Sequence, residues 1–287
     1  MPELPEVEIV KQSLLNKVKN QKINKVSIFN RSLRYKIEDG FEDFLKNQKI
    51  LNITRKSKFI IFHFSKDNYC ILHLGMSGTM HLINSKSLNK STNLSFYHSK
   101  LLPKKHNHVE FHFSRFKLIY NDPRRFGFFK LIKSKYDLDN FFKPFEPEAL
   151  DDGFNLSYLK IKLNNKSKNI KNFLLDQKFV SGIGNIYASE ILYYSKINPL
   201  KKGKNLNLRD MKKIIRYTYL VLNKAIKKGG STIKNFKNTQ GLSGNFQKEF
   251  KVYERNNLKC LRKECKGIIK KIIINNRSTF YCNNCQK

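Results

Sequence analysis

The first pattern in the chain is a helical repeat of apolar residues near the N-terminus. Beyond Pro5, four apolar positions recur at the spacing that places them on one face of a helix: Val7, Val10, Leu14 and Val18. Proline suits a first helical turn, and the acidic Glu6 and Glu8 suit the positive end of a helix dipole. We therefore predict an amphipathic helix that starts just after Pro5.

From about residue 22 to residue 134 the pattern changes to short apolar or alternating runs separated by turn residues. Among these runs are KFIIFHF, YCILHLG, HVEFHF, FKLIYN and FGFFKLI. Such runs predict β-strands, and their even spacing is typical of a sandwich or a barrel. The polar stretch 84–107, rich in Lys, Asn and Ser, predicts a loop or a mobile insertion.

Beyond residue 134 the helical pattern returns. A linker is predicted at 135–150, where Pro144 and Pro147 interrupt any regular element, and segments with a helical apolar face follow between 155 and 228. Gly229 and Gly230 end the last helix, and 231–247 has the composition of a flexible loop. We therefore expect an α+β chain with a β-rich domain at 1–134, a linker at 135–150, a helical domain at 151–250 and a cysteine-rich module at 251–287.

Charge narrows the choice of partner. The formal net charge is +35, from 57 Lys and Arg against 22 Asp and Glu, which favours a polyanion such as a nucleic acid. The chain is rich in Lys, Asn and Ile, as AT-rich coding would make it, so much of the lysine excess can reflect codon bias. Codon bias does not explain the few arginines, which are therefore more informative about binding. The chain lacks a membrane-length apolar run and an N-terminal signal pattern, so we expect a cytoplasmic protein.

The cysteines indicate a metal site. Four of them follow the spacing C-x4-C-x16-C-x2-C at the end of the chain: Cys260, Cys265, Cys282 and Cys285. Two close pairs of thiolates complete a tetrahedron around Zn²⁺ and leave no open position, so the zinc is expected to be structural. The segment between the pairs predicts two strands joined by a turn at 275–278. Cys70 lies in an apolar run and is expected to be a buried strand thiol.

Reactive chemistry is predicted at the N-terminus. A small residue at position 2 usually permits removal of Met1, which leaves Pro2 with a free secondary amine. An α-amino group has a pKa of about 7.7–8.0, so a useful fraction is neutral and nucleophilic near pH 7. The carboxyls of Glu3 and Glu6 could supply acid–base chemistry. The alternative for the same residues is an ordinary helix start.

Three glycine-containing turns carry candidate DNA contacts. LGMSGTM presents Met76, and NDPRRFGFF presents Arg124, Arg125 and Phe126, which suit phosphate contact and insertion between bases. The alternative for Met76 and Phe126 is a position in the core. SGIGNIYASE places a turn and Asn185 before a helix, which suits a phosphate, although a tight inter-helix turn has the same pattern.

Taken in order, seven segments resemble the formamidopyrimidine-DNA glycosylase family. They are PELPEVE, HLGMSG, KHNHVEF, DPRRFG, GIGNIYASE, GGST and RSTFYCNNCQK. The resemblance runs from Pro2 to the C-terminus and is weakest near 84–103 and 134–165. It implies an N-terminal β-sandwich flanked by helices, a helix–two-turn–helix domain with a zinc β-hairpin, and duplex DNA bound between the two domains.

The resemblance also implies roles at matching positions. Pro2 would attack C1′ of the damaged nucleoside, Glu3 would act as general acid at the sugar, Lys58 would assist β-elimination, and Arg277 would assist δ-elimination and hold phosphates. Met76, Arg124 and Phe126 would fill the gap left by the flipped nucleotide. Contacts with the DNA backbone would come from His106, Lys166 and Asn185. The loop 231–247 would close over the everted base.

The implied function is a monomeric glycosylase and abasic-site lyase of base excision repair that removes 8-oxoguanine and formamidopyrimidines and cuts the strand by β,δ-elimination. One departure is the C-x4-C pair, which is C-x2-C in many relatives but stays within zinc spacing. Two alternatives remain open. One is an endonuclease VIII-type enzyme for oxidised pyrimidines, and the other is a non-catalytic zinc-finger protein that binds nucleic acid.

Overall fold

The computed structural model describes residues 2–84, 90–91, 103–231 and 245–287. The chain folds as two compact units, Met1–Phe142 with Lys228–Gln247 and Lys143–Lys227 with Lys248–Lys287. In the described part of the chain, no helix has the length and apolar character needed to cross a bilayer.

The first unit is a β-sandwich with helices. Its strands are β1 Lys25–Ile28, β2 Asn52–Lys56, β3 Phe59–His63, β4 Tyr69–His73, β5 Thr79–Asn84, β6 Lys90–Ser91, β7 Asn107–His112, β8 Phe116–Asn121 and β9 Phe128–Ile132. Its helices are α1 Leu4–Val18, α2 Phe41–Leu45 and α3 Lys135–Phe142. Within the described residues, one antiparallel sheet has the order β2-β3-β4-β9 and the other has the order β1-β7-β8-β5-β6.

A single core joins the two sheets. Phe62 stacks on Phe111 with 6.5 Å between ring centroids, and Tyr120 meets Phe129 edge-on at 5.1 Å. These pairs belong to opposite sheets, which confirms the sandwich. The predicted apolar face of α1 is buried in the same core, as is Cys70 on β4. Burial raises the pKa of the Cys70 thiol, so it stays neutral there.

Two boundaries in this unit differ from the prediction. Helix α1 begins at Leu4 rather than after Pro5, because Glu3 acts as the N-cap and forms a capping box with Glu6. Part of the predicted linker 135–150 is helix α3. The Ser134 hydroxyl accepts a hydrogen bond from the Asp137 N–H at 3.0 Å, and Phe142 packs against Phe59 at 5.5 Å. The domain limits themselves stay predictions.

The second unit is helical and ends in a β-hairpin. Its elements are α4 Leu156–Leu163, α5 Ile170–Leu175, α6 Asn185–Ser195, α7 Leu208–Lys227, β10 Ile269–Ile274 and β11 Arg277–Cys282. Helix α6 packs against α5, α7 and β11, which explains why nearly all of its residues are buried. The predicted helical segments between 155 and 228 and the predicted hairpin are thus confirmed.

The hairpin turn is tighter than predicted. Only Asn275 and Asn276 form it, with φ values of 47° and 56°, whereas the sequence predicted a turn over 275–278. Asparagine tolerates positive φ, so two consecutive asparagines permit the two-residue turn that matches the twist of the strands. Arg277 and Ser278 therefore belong to β11 and pair with Ile274 and Ile273.

Candidate active site and metal centre

The N-terminal candidates are buried and held in place by one carboxylate. Pro2 is buried, Glu3 is 3% exposed and Glu6 is fully buried. Glu6 Oε2 accepts the Glu3 N–H at 3.0 Å, while Glu6 Oε1 accepts both the N–H and the hydroxyl of Ser231 at 2.8 Å. Glu6 thus connects the start of α1 to the end of the GGS segment. These contacts give Glu6 a positioning role, and its acid–base role stays a prediction.

Lys58 is the second residue of the two-residue turn that joins β2 to β3, and it is only 4% exposed. The preceding residue, Ser57, has a φ of 54°. Arg55 donates to the Ser57 carbonyl and to Glu8 of α1, both at 2.9 Å. The ion pair between Arg55 and Glu8 therefore ties α1 to the hairpin that carries Lys58. Four of the five predicted catalytic residues belong to the first unit: Pro2, Glu3, Glu6 and Lys58.

Two of the connections that cross from one sheet to the other carry predicted DNA contacts. The first leaves β4 and presents Met76, and the second leaves β8 and presents Arg124 and Phe126. Met76 is 43% exposed and Phe126 is 42% exposed. A core position for either residue, which the sequence left open, is therefore wrong. The Arg124 guanidinium lies 4.7 Å from the centre of the Phe126 ring.

Asp122 shapes the second connection. This carboxylate is fully buried and accepts hydrogen bonds from Ser77 Oγ at 2.5 Å, Tyr120 Oη at 2.9 Å, the Arg124 N–H at 3.2 Å and the Gly127 N–H at 2.9 Å. Two of these donors lie in the turn 122–127, and Ser77 lies in the turn of Met76. Asp122 therefore sets the shape of one turn and fixes it to the other.

Glycine is required where these two turns meet. A Cβ on Gly75, which has a φ of +65°, would lie 2.4 Å from the backbone at Phe126 and Gly127. A Cβ on Gly127 would lie 1.8 Å from the Tyr120 hydroxyl. The two backbones therefore pack directly on each other, and neither position accepts a side chain.

Three histidines adjoin these turns, and the first, His108, has its Nε2 2.7 Å from the Asp122 carbonyl oxygen. The His106 carbonyl accepts the Asp122 N–H at 3.0 Å, which places this predicted backbone contact beside the second turn. His73 Nδ1 accepts the Gly75 N–H at 3.1 Å. Burial, with smaller contributions from Lys58 and Arg34, lowers the pKa of His73 to about 4. His73 is therefore neutral near pH 7.

In the second unit, the predicted residues Asn185 and Arg277 are joined through Ser278. Asn185 begins α6, and its Nδ2 donates to the Ser278 carbonyl at 2.9 Å. Fully buried Lys171 donates to the same carbonyl at 3.3 Å and to Thr279 Oγ1 at 2.6 Å. The backbone next to the exposed Arg277 is thus held by two side chains of the helical core. Lys166 is exposed in the turn after α4.

The four predicted zinc ligands converge. Their sulfur atoms all lie within 4.8 Å of one another, with 3.9 Å between Cys260 and Cys285 and 3.6 Å between Cys265 and Cys282. A tetrahedral zinc with bonds of about 2.3 Å requires sulfur–sulfur distances of about 3.8 Å. The donor set therefore fits one structural Zn²⁺ with all four positions filled. The longer C-x4-C turn does not disturb this geometry.

Buried Glu190 anchors the chain that leads into the zinc module. Its carboxylate accepts the backbone N–H groups of Lys251, Val252 and Tyr253 at 2.9–3.1 Å. Burial raises the pKa of Glu190, which these hydrogen bonds oppose. No functional role was predicted from the sequence for Glu190, Lys171, Asp122 or Ser231. Glu190, Asp122 and Ser231 lie inside the motifs SGIGNIYASE, NDPRRFGFF and GGST, so a polar residue within a motif could have indicated a structural role. Lys171 lies outside these motifs.

Two predicted segments lie largely outside the described residues. Of the predicted loop or insertion 84–107, residues 85–89 and 92–102 are not among them. Of the loop 231–247, which the resemblance assigns to closure over the base, residues 232–244 are not among them. Ser231 and Asn245 pair as an isolated antiparallel bridge, and a 3-10 turn at Phe246–Glu249 follows.

Comparison with known proteins accounts for this arrangement. Residues 1–129 match the formamidopyrimidine-DNA glycosylase N-terminal domain, residues 145–237 match the H2TH domain of the same enzyme, and residues 257–287 match the zinc finger found in FPG and IleRS. The chain belongs to the formamidopyrimidine-DNA glycosylase family. The predicted α+β fold and the predicted zinc finger are thereby confirmed.

Individual relatives of this family match over the whole chain. Formamidopyrimidine-DNA glycosylases of Rickettsia bellii and of a Wolbachia from Drosophila simulans are 42% and 40% identical, each with full coverage of both chains. Crystal structures of the Lactococcus lactis enzyme, with Fapy-dG DNA or with abasic-site DNA, share 32% identity and a TM-score of 0.86 over the full length of both chains. Membership in the family makes the chain a DNA glycosylase of base excision repair.

Proposed function

We propose that this chain excises oxidised purines from duplex DNA and then cuts the strand, with Pro2 as the nucleophile. The observation that carries the proposal is the buried N-terminal pair Pro2 and Glu3, held by Glu6 in the same unit as Lys58. An ordinary helix start does not explain why a Pro–Glu pair is held by a buried carboxylate that also binds Ser231.

The chemistry begins with the amine of Pro2 after removal of Met1. Its lone pair forms a bond to C1′ while the glycosidic bond breaks, and the base leaves with the bonding electrons and takes up a proton. Glu3 supplies a proton at the sugar, whose ring oxygen opens to give an iminium between Pro2 and C1′. The iminium acidifies the C2′ proton.

Two eliminations then cut the strand. Loss of the C2′ proton, assisted by Lys58, breaks the C3′–O bond with the phosphate as leaving group. A second elimination, assisted by Arg277, removes the C4′ proton and breaks the C5′–O bond, with the second phosphate as leaving group. The product is a gap with phosphate at both ends, and the sugar fragment is released from Pro2 by hydrolysis.

The exposed turns of the first unit fit the deformation that this reaction requires. Attack at C1′ needs the nucleotide to leave the stack, which costs a few kcal/mol. Met76, Arg124 and Phe126 would fill the gap, with Arg124 facing the orphaned base, and phosphate contacts from His106, Lys166 and Asn185 would offset the cost. We propose that the protein acts as a monomer on the DNA of the bacterial cytoplasm, in the nucleoid.

Borohydride trapping tests the nucleophile. Reduction of the iminium leaves a stable amine, so the protein incubated with abasic-site DNA and borohydride should yield a covalent adduct that mass spectrometry locates on Pro2. Pro2→Gly should lose most of this adduct. The matched control Pro5→Ala, which keeps the terminal amine, should retain it. A wild-type protein that lacks Met1 but forms no adduct would instead support a non-catalytic DNA-binding protein.

A second candidate is the oxidised-pyrimidine enzyme on the same scaffold. This candidate is favoured by one Lactococcus lactis structure with a TM-score of 0.86, which contains DNA with an oxidised pyrimidine. The two candidates are separated by comparing excision of 8-oxoguanine opposite cytosine with excision of thymine glycol. Faster release of 8-oxoguanine supports our proposal, and faster release of thymine glycol overturns it.

A further inference from the structure

A cationic pocket lies beside the turn that carries Phe126. It has a volume of about 490 Å³ and is lined by Ser32, Leu33, Arg34, Arg124, Arg125 and Phe126. Three of the 11 arginines of the chain therefore meet in one pocket, and all three are exposed. The proposed mechanism uses Arg124 and Phe126 but assigns nothing to Arg34 or Arg125.

The charge of this pocket is uncompensated. Among the described residues, no carboxylate pairs with Arg34, Arg124 or Arg125, although nearby Arg31 is paired with Glu42 at 2.5 Å. Like charges that line one pocket repel each other, so the arrangement is most stable when an anion lies between them. Guanidinium groups match the oxygens of a phosphate in particular, because they offer several donors in a fixed plane.

The backbone holds Arg34 against the turn. The Arg34 N–H donates to the Gly127 carbonyl at 3.2 Å, and Tyr35 meets Phe128 edge-on at 5.0 Å. Arg125 has a φ of 56°, a conformation that non-glycine residues rarely adopt, and its N–H donates to the Asp122 carbonyl at 3.2 Å. The positions of Arg34 and Arg125 are thus built into the backbone of the Phe126 turn.

We propose that Arg34 and Arg125 bind a phosphodiester of the DNA strand opposite the lesion, next to the orphaned base. The inference rests on the proposed function, which has Arg124 facing that base. A phosphate within reach of Arg124's neighbours then belongs to the strand that carries the base. Arg34 and Arg125 would hold this strand while the damaged nucleotide leaves the helix, which makes the pocket part of the site that recognises bent DNA.

A scan of neutral linkages tests the pocket. Binding is measured by fluorescence anisotropy on duplexes with a tetrahydrofuran abasic analogue opposite cytosine, in which one methylphosphonate at a time replaces a phosphate near that cytosine. Arg34→Gln should weaken binding to the unmodified duplex by roughly tenfold and reduce the salt slope by about 1. At one linkage of the opposite strand the wild type should show the same loss, and the variant should lose nothing further.

Controls separate charge from structure. Lys36→Gln removes a charge that is already paired with Asp39, so it should bind as the wild type does. Arg34→Lys keeps the charge but not the planar group and should recover part of the affinity. It also carries the test if thermal melting shows that Arg34→Gln is unstable.

Three outcomes overturn the inference. The first is that Arg34→Gln binds DNA as tightly as the wild type does. The second is that the affinity lost in Arg34→Gln relative to the wild type persists at every opposite-strand methylphosphonate. The third is that this difference in affinity disappears only when the methylphosphonate is in the lesion strand. The failure of the proposed function has a different signature, because it is the absence of a Pro2 adduct in the wild type. A wild type that traps, together with Arg34→Gln that binds normally, rejects only the pocket.

Discussion

The turn 122–127, here called the wedge turn, and the zinc hairpin both hold an exposed arginine on a rigid backbone, but different interactions make the two backbones rigid. Each presents an exposed arginine, Arg124 in one case and Arg277 in the other, on a backbone that must not move. The wedge turn rests on a buried carboxylate, Asp122, that accepts four hydrogen bonds. The hairpin rests on four thiolates and on Lys171 and Asn185 from the helical core.

The size of the surrounding core explains the difference. The wedge turn joins two sheets that share an extensive apolar core, so buried hydrogen bonds are sufficient to shape it. The core around the hairpin contains six buried residues, two of which are the zinc-ligating Cys260 and Cys282. So small a module cannot bury enough apolar surface alone, and metal binding supplies the missing free energy.

Removal of the metal should have the largest effect on this comparison. Cys282→Ser should abolish zinc binding and weaken binding to abasic-site duplex at least a hundredfold, because structural zinc contributes on the order of 10 kcal/mol to folding of such modules. Zinc content and fluorescence anisotropy measure the two losses. Cys70→Ala, which removes the buried thiol of the sandwich, should keep the zinc. Normal DNA binding by Cys282→Ser would contradict the assignment.

The corresponding change in the sandwich is Asp122→Asn. An amide cannot accept from all four donors and brings its own N–H groups into the site, so the free energy of unfolding should fall by about 2–4 kcal/mol. Ser77→Ala removes one donor and should cost only about 1 kcal/mol. Denaturant titrations measure both, and zinc content should stay unchanged. Equal stability of Asp122→Asn and wild type would refute the role given to this carboxylate.

Mild acid should distinguish the units by charge alone, since all seven histidines of the sequence precede residue 113. Burial lowers the pKa of His81 to about 3 and that of His73 to about 4, from an ordinary value of 6.5. As the pH falls, these two histidines bind protons in the unfolded chain at a higher pH than in the folded chain. Their contribution to the free energy of unfolding is therefore present above pH 6.5 and is lost as the pH falls toward their folded pKa values.

Between pH 6.5 and pH 5 each of these two histidines should cost the sandwich about 1–2 kcal/mol. Hydrogen exchange of strands β4 and β5 at the two pH values measures the loss, while zinc content reports on the hairpin. His81→Gln should flatten the dependence. A sandwich whose protection does not change over this range would show that these histidines are not held neutral by the fold.

The smallest effect is expected at Lys171, which acts on the hairpin without touching the metal. Lys171→Met leaves the Ser278 carbonyl to Asn185 alone, so Arg277 should be less well oriented. The δ-elimination should slow by roughly three- to tenfold, while formation of the Pro2 adduct stays unchanged. Product analysis on gels gives the ratio of β to β,δ products. Exposed Lys178→Met serves as control, and a ratio equal to that of the wild type would show that Lys171 is only structural.

Periodicity and spacing were sufficient for the framework of the molecule. The apolar face of α1, the strand runs and the cysteine spacing each reflect a single local rule, so they could be recognised without tertiary information. Asp122 and Lys171 could not be assigned in this way, because their partners are 45 and 108 residues away at Ser77 and Thr279. The exposure of Met76 and Phe126 also depended on tertiary structure, because the same residues suit a core.

The close packing of Gly75 on the backbone of Phe126 and Gly127 has a mechanical consequence. A displacement of either turn is transmitted to the other turn and to both sheets, so Met76 and Phe126 move together as one rigid unit. When duplex DNA contacts these two residues, the protein deforms little, and the DNA is the partner that must bend.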